Sequence, residues 1–310
     1  MYLRIYSYSL MHRYFIKVSF DGTRYSGWQV QKNSAHTVQQ KINEGLSRLL
    51  SEKIEVFGCC RTDAGVHARE LYAHFDSKKD LTPSKATPLS LNNRAKNEGW
   101  ERSSGEGGES DWLHKFNSML PVDISIDGIF SVAADANARF DATARTYQYF
   151  INSKRNPFLI NRSYYYYSDL DIALMNKAAK ILKNTKDFSA FSKLHTQVKT
   201  NICKISKAEW SITPSPLERV GVRRGEVVFT IRADRFLRGM VRIIVGTMML
   251  VGKHKITLSD FQKIINSKDC QNAGVSVLAC GLYLTKVEYP KKTFTPTLKG
   301  EKKQKPNNSL

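Results

Sequence analysis

The stretch RTDAGVHA at residues 61–68 sets an acid and a base into a turn. It follows the apolar run IEVF at residues 54–57 and three small residues, so a strand is expected to stop there and to leave a loop. Loops held by a rigid sheet often carry chemistry, which makes Asp63 and Arg61 candidate functional residues. On residue types alone, a solvated ion pair is the commoner explanation of such a stretch.

The charge of the chain indicates a polyanionic partner. Its 310 residues include 48 Lys and Arg against 28 Asp and Glu, a formal net charge of +20 at pH 7, and the pI is near 9.7. With 41% hydrophobic residues, the chain can still build a core. Because the basic residues are spread along the chain and not concentrated on one amphipathic helix, nucleic acid is favoured over an anionic membrane surface.

Cysteine usage and hydropathy indicate a reduced protein without a membrane span. The five cysteines are an odd number without a Cys-x-x-Cys spacing, which predicts neither a zinc site nor a disulfide framework and favours the cytoplasm. The longest apolar run, residues 240–251, contains Arg242, so no membrane-spanning segment is expected. Residues 1–11 carry no acid and are interpreted as an extension, with an organellar targeting peptide as the alternative.

Periodicity predicts an N-terminal α/β half over residues 12–77, in the order β-α-β-β. Strands are expected at 14–20, 54–57 and 71–75. A helix is expected after Thr37, which forms a capping box with Gln40 and precedes an apolar stripe that ends near Leu50. The polar, Gly-rich residues 78–112 are expected to form a mobile insertion.

A C-terminal α/β half is predicted over residues 113–290. Strands are expected at 124–132, 146–152, 203–212, 227–233 and 282–288. Helices are expected after Asp169 or Asp171, over 236–251 and over 259–266. The basic tail 291–310 is expected to be disordered. These elements predict an α+β fold of two related α/β halves.

Five segments, in the same order, resemble the TruA family of tRNA pseudouridine synthases. Besides the acid stretch they are FIKVSFDGTRYSGWQ at 15–29, ARFDATARTYQY at 138–149, FLRGMVRIIVG at 236–246 and a stretch ending GLYLTKVEYP at 281–290. The resemblance implies a continuous mixed or antiparallel sheet, helices on one face and a central RNA-binding cleft. It also implies a homodimer that acts on the tRNA anticodon stem-loop, at positions 38, 39 and 40, without metal or organic cofactor.

The implied reaction transfers C1′ of a uridine from N1 to C5 of its base, with no redox change and no hydrolysis. One carboxylate can serve as nucleophile or as general base, and the resemblance assigns this role to Asp63. In a closed cleft this acid needs a cation, and Arg61 and Arg242 are the candidates. The spacing of Arg235, Arg238 and Arg242 places them on one face of the predicted helix. A basic helix face that only extends into water would explain this spacing equally well. The resemblance favours Arg242 as the partner.

The resemblance also assigns contacts to the RNA. Tyr147 matches the tyrosine that stacks on the target base, and Leu237 matches an apolar wall of the pocket. Arg61 is then free to contact RNA or to occupy the position vacated by the flipped base. Further contacts to the RNA are expected from Arg139, Arg145, Arg238 and Lys193 with His195.

Two other classes of function compete with this interpretation. A non-catalytic RNA-binding protein on the same fold would not need Asp63. A hydrolase that uses Asp63 with His67 would shorten the RNA or release uracil, but His67 is expected to be a structural hydrogen-bonding residue. Cys59 and Cys60 depart from the small residues that the family has there, which affects the choice of RNA site more than the chemistry. The ordered succession of acid loop, aromatic strand and arginine helix favours the synthase.

Overall fold

The computed structural model describes residues 11–31, 34, 36–81, 109–193, 200–213 and 226–294. The expected extension at 1–10, residues 82–108 of the expected insertion and the tail from 295 lie outside them. The helices within these ranges are α1 Val38–Leu50, α2 Glu109–Ser118, α3 Ile172–Asn184, α4 Met240–Gly252 and α5 Leu258–Ser267. The strands there are β1 His12–Phe20, β2 Phe57–Gly58, β3 His67–Ser77, β4 Ile124–Ser131, β5 Ala144–Asn152, β6 Tyr164–Tyr165, β7 Ile205–Thr213, β8 Glu226–Ala233 and β9 Leu282–Glu288.

One mixed sheet runs through the described chain, in the order β4-β1-β3-β9-β5-β8-β7, with β2 on β3 and β6 on β5. Strands β3 and β9 pair in parallel, with His67 opposite Tyr283, while the other steps along this order are antiparallel. The short parallel contact joins the β4-β1-β3 group to the β9-β5-β8-β7 group. The predicted α+β class and continuous sheet are confirmed, and the junction lies at the last two residues of the acid stretch, His67 and Ala68.

Helix α1 begins where the sequence predicts. The side chain of Thr37 accepts a hydrogen bond from the backbone N–H of Gln40, while the Gln40 amide donates to Glu44 and does not complete a capping box. The apolar stripe of α1 faces the core, and each fully buried side chain of this size contributes about 1.5–3 kcal/mol. Its members are Val38, Ile42, Leu46 and Leu50.

Helix α4 begins later than the sequence predicts. Gly239 has a φ of 72°, in the left-handed region that favours glycine, and the helix starts at the next residue. Arg235 and Arg238 therefore lie before α4, and the prediction that they share a helix face with Arg242 is wrong. Arg242 is the single charged residue of a helix whose other side chains are almost all buried.

The prediction of a strand over residues 54–57 is also wrong, because β2 contains only Phe57 and Gly58. The backbone N–H of Ile54 donates to Ser47 Oγ at 2.8 Å, and that of Val56 donates to Asn43 Oδ1 at 2.9 Å. Side chains on α1 thus take the donors that a strand ladder would use. Ile54 and Val56 are buried. The apolar pattern therefore correctly indicated core residues, but these residues do not form a strand.

Two further features lie near the predicted boundaries. Strand β4 pairs with β1 and α2 packs against β4, so β4 belongs to the same sheet group as β1 and β3. Tail residues Lys291–Phe294 form a 3-10 turn. The ring centroid of Phe294 lies 5.1 Å from that of Phe130, which anchors the start of a tail expected to be disordered. Four residues are too few to give a periodic signal.

Candidate active site

The acid loop, residues 59–66, connects β2 to β3 and carries Asp63. The preceding segment supports it, since Gly65 N donates to Tyr25 O at 3.3 Å. Gly27 has a φ of +92°, and a Cβ at this position would lie 2.4 Å from Thr62 O. Only glycine tolerates both conditions, so the FDGTRYSGW segment fixes the backbone of the acid loop.

Arg242 reaches the acid loop from α4. Its Nη1 lies 3.4 Å from Asp63 Oδ2, and its Nε donates to Val277 O at 2.7 Å. The side chains of Arg242 and Asp63 are 17% and 26% exposed. The guanidinium is the charged group of an otherwise apolar helix, and it lies beside a carboxylate that is partly withdrawn from bulk water. The structure thus brings together the two residues that the sequence analysis paired.

Tyr147 lies in β5 with its hydroxyl toward the acid loop. Its Oη is 3.7 Å from Cys60 Sγ, and the ring of Phe236 meets it edge-on at 5.1 Å between centroids. Burial raises the pKa of the Tyr147 phenol well above its ordinary value, so the phenol stays protonated near neutral pH. Leu237 is buried beside Phe236, and Tyr149 is fully buried in the core.

Arg145 is not placed to contact a phosphate, which corrects its predicted role. It is a buried side chain, 8% exposed. Its Nη1 donates to the carbonyls of Ala142 at 2.9 Å and Asp234 at 2.8 Å, and its Nη2 donates to those of Cys59 at 3.1 Å and Arg139 at 2.6 Å. The guanidinium ties the loop before β5 to the residues just ahead of the acid, so Arg145 is a positioning residue.

The other arginines expected to contact RNA are exposed on the surface. Arg61, Arg139 and Arg238 all expose their side chains. Lys193 is also exposed and its backbone N–H donates to Arg238 O at 3.4 Å, which brings two basic residues together. The expected companion of Lys193, at position 195, lies outside the described residues. Exposed guanidinium and ammonium groups are the side chains that neutralise phosphates.

His67 is a structural residue, as predicted. Its Nδ1 accepts the backbone N–H of Gly22 at 3.1 Å, and its Nε2 lies 2.9 Å from Asn161 O. Burial lowers the pKa of the imidazole, and the neutral tautomer with its proton on Nε2 satisfies both contacts. Because both ring nitrogens are engaged in these contacts, His67 is not placed to act with Asp63 as the second catalytic residue of a hydrolase.

Sequence reasoning missed three features around this site. The Cys60 thiol contacts Tyr147, the carbonyl of Val277 holds Arg242, and Phe140 is 78% exposed in a neighbouring loop. A carbonyl has no sequence signature because every residue carries one. The cysteine stood out only as a departure from the family, and an isolated phenylalanine is expected in the core.

Within the described ranges, no cluster of three or more His, Cys, Asp or Glu side chains is arranged to hold a metal ion. In the same part of the chain, no helix is both long and apolar enough to cross a membrane. All five cysteines fall in these ranges and none is bridged.

Residues 178–290 match the family described as tRNA pseudouridine synthase. This match covers the C-terminal part of the chain and indicates the class of the pseudouridine synthases, which are isomerases.

Full-length relatives narrow the assignment. The chain is 43% identical over 291 residues to tRNA pseudouridine synthase A of Bacteroides thetaiotaomicron, covering 93% of this chain and 95% of the relative. It is 43% identical to the enzyme of that name from Porphyromonas gingivalis, covering 92% and 100%, and 35% identical to that of Clostridium acetobutylicum, covering 88% and 98%. The chain therefore belongs to the tRNA pseudouridine synthase A family, which confirms the resemblance seen in five segments.

Proposed function

We propose that this enzyme isomerises uridines at positions 38, 39 and 40 of the tRNA anticodon stem-loop, and that Asp63 is its catalytic aspartate. The observation that carries the proposal is the contact of Asp63 with Arg242, at the junction of the two sheet groups. A single carboxylate held by one arginine is sufficient for an isomerisation, which needs no redox partner and no hydrolytic water.

The chemistry balances with one acid. The N1–C1′ bond of the uridine breaks, the base turns, and a C5–C1′ bond forms; the proton lost from C5 is balanced by the one gained at N1. Asp63 serves as the nucleophile in one route and removes the C2′ proton of the ribose in the other. Deuterium at C2′ separates them, because only the second route breaks that bond and slows several-fold.

The other side chains of the site hold the substrate. The ring of Tyr147 offers a π-face to the flipped uracil, and its protonated phenol donates a hydrogen bond. Leu237 forms part of the apolar wall next to Phe236. Arg61, Arg139 and Arg238 contact the RNA backbone, with Arg61 closest in sequence to the acid, and the net charge of +20 attracts the polyanion.

The experiment that tests the proposal is tritium release from a tRNA transcript labelled at uracil C5. We expect release by the wild type, none by Asp63→Asn, and wild-type release by Asp127→Asn, whose carboxylate is exposed on β4. RNA affinity should be equal for all three proteins. Full turnover by Asp63→Asn would overturn the assignment of the acid. Binding without release by the wild type would favour a non-catalytic RNA-binding protein.

The homodimer and the cytoplasmic location belong to the same proposal. Both rest on the family resemblance, and the unbridged cysteines agree with a reducing compartment. Light scattering is expected to give a protein mass of twice the 35.3 kDa of one chain, both for the free enzyme and, once the mass of the RNA is subtracted, for the complex with tRNA. A mass of one chain in both states would contradict the dimer.

A further inference from the structure

The loop between β4 and β5 holds an exposed aromatic ring on a rigid backbone. The side chain of Asn137 accepts the backbone N–H groups of Arg139 at 3.0 Å and Phe140 at 3.2 Å. Asp141 Oδ2 accepts Asn137 N at 2.7 Å, and Asp141 N donates to Asn137 O at 3.0 Å. These four bonds fix the tip of the loop, yet Phe140 at that tip is 78% exposed.

The same loop is anchored to the body of the protein. Tyr289 Oη donates to Ala138 O at 2.6 Å, and Ala138 N donates to His74 Nδ1 at 3.2 Å. Arg145 Nη2 bonds the carbonyls of Arg139 and Cys59 at once. One guanidinium group therefore joins the loop tip to the chain four residues ahead of Asp63. The position of Phe140 is fixed relative to the acid loop.

Exposed apolar side chains are common and usually need no explanation. Phe158 is 81% exposed, but it lies in a 3-10 turn whose cap is one hydrogen bond from its own N–H to Asn156. Phe140 differs in its rigid loop, its tie to the acid loop and its cationic neighbour, since the guanidinium of Arg139 lies 5.7 Å from its ring centroid. A ring and cation fixed before binding lose little conformational freedom when they capture a ligand.

We propose that Phe140 is a base-stacking residue for the RNA. This role rests on the proposed function. The ring of Phe140 receives the nucleotide next to the target uridine, because that nucleotide loses a stacking partner when the uridine flips out. The phenyl ring replaces that partner, and Arg139 lies over the stacked pair or on the adjoining phosphate. The ligand class is a single unpaired nucleotide, recognised by its π-face and not by its sequence.

The test compares three substitutions at one position by steady-state kinetics on tRNA. We expect Phe140→Ala to raise KM about 5- to 150-fold, the loss of one stacked base, with kcat within about 2-fold. Phe140→Leu should behave like the alanine variant, because it is apolar but has no π-face, and Phe140→Trp should restore the wild-type KM. Phe158→Ala is the matched control and should leave both constants unchanged. Melting temperatures should be equal, because both rings are exposed.

Salt dependence separates stacking from charge. We expect the slope of log affinity against log salt concentration to be unchanged in Phe140→Ala and to fall in magnitude by about one in Arg139→Gln. A wild-type KM in Phe140→Ala, or a leucine variant as good as tryptophan, would overturn the stacking role while tritium release by the wild type still supports the proposed function. No release by the wild type overturns the proposed function itself.

Discussion

Nη1 of Arg242 lies 3.4 Å from Oδ2 of Asp63, although 179 residues separate them in the chain. The arginine comes from an apolar helix and the acid from a loop at the start of β3. The contact therefore depends on the packing of α4 against the segment around Val277, whose carbonyl accepts a hydrogen bond from Arg242 Nε.

Loss of Arg242 should disable the acid. We expect Arg242→Gln to lower kcat about 10²–10³-fold with RNA affinity retained, because a preorganised charge is lost from the site. The kcat of Arg242→Lys should fall between those of the wild type and Arg242→Gln, since lysine keeps the charge but loses the Nε contact to Val277. Single-turnover tritium release measures each. A wild-type kcat in Arg242→Gln would contradict the role of the pair.

The phenol of Tyr147 should act in its protonated form. We expect Tyr147→Phe to keep the tRNA KM, because the ring remains, and to lower kcat about 10-fold or more. Because burial raises the phenol pKa well above 10.0, no loss of wild-type rate should come from its ionisation up to about pH 10. Single-turnover rates of both proteins between pH 7 and 10 test this. Full activity of the phenylalanine variant would restrict Tyr147 to stacking.

Cys60 should be the thiol whose modification inactivates the enzyme. A hydrogen bond from Cys59, with help from Tyr147, holds the pKa of the Cys60 thiol below its ordinary 9.0, whereas burial raises that of Cys59. Since the thiolate is the nucleophile, alkylation should already be fast below pH 9 and should block the phenol contact. Mass spectrometry should show Cys60 modified before Cys270, in step with loss of activity, with protection by tRNA. If the alkylating reagent inactivated Cys60→Ser as fast as the wild type, this role of Cys60 would be contradicted.

Arg145 should matter for stability before it matters for catalysis. We expect Arg145→Met to destabilise the fold by about 3–5 kcal/mol, because carbonyls bound by the guanidinium are left buried without a donor. This corresponds to a fall in Tm of about 6–15 °C. Calorimetry checks the shift, with Arg139→Gln as the control, because its side chain is exposed. Equal melting of the two variants would show that the four contacts contribute little.

Strongly periodic elements could be predicted from the sequence, and the errors have local physical causes. The cap at Thr37 and the stripe of α1 were predictable because they depend on residues three and four apart. The run at 54–57 was misassigned because Ser47 and Asn43 take its backbone donors from another element. The start of α4 was misplaced because the left-handed conformation of Gly239 ends the preceding loop there.

The sequence by itself determined the family, the α+β class, the positive charge and the acid stretch, because these depend on residue types and on short spacings. Only the tertiary structure decided the directions of the side chains. Arg242 points to Asp63 because packing of α4 brings the Val277 carbonyl to its Nε. Arg145 points inward because the folded loops bring four carbonyls within reach of one guanidinium. A guanidinium has the same donors everywhere, and its role is set by the acceptors that the fold brings to it.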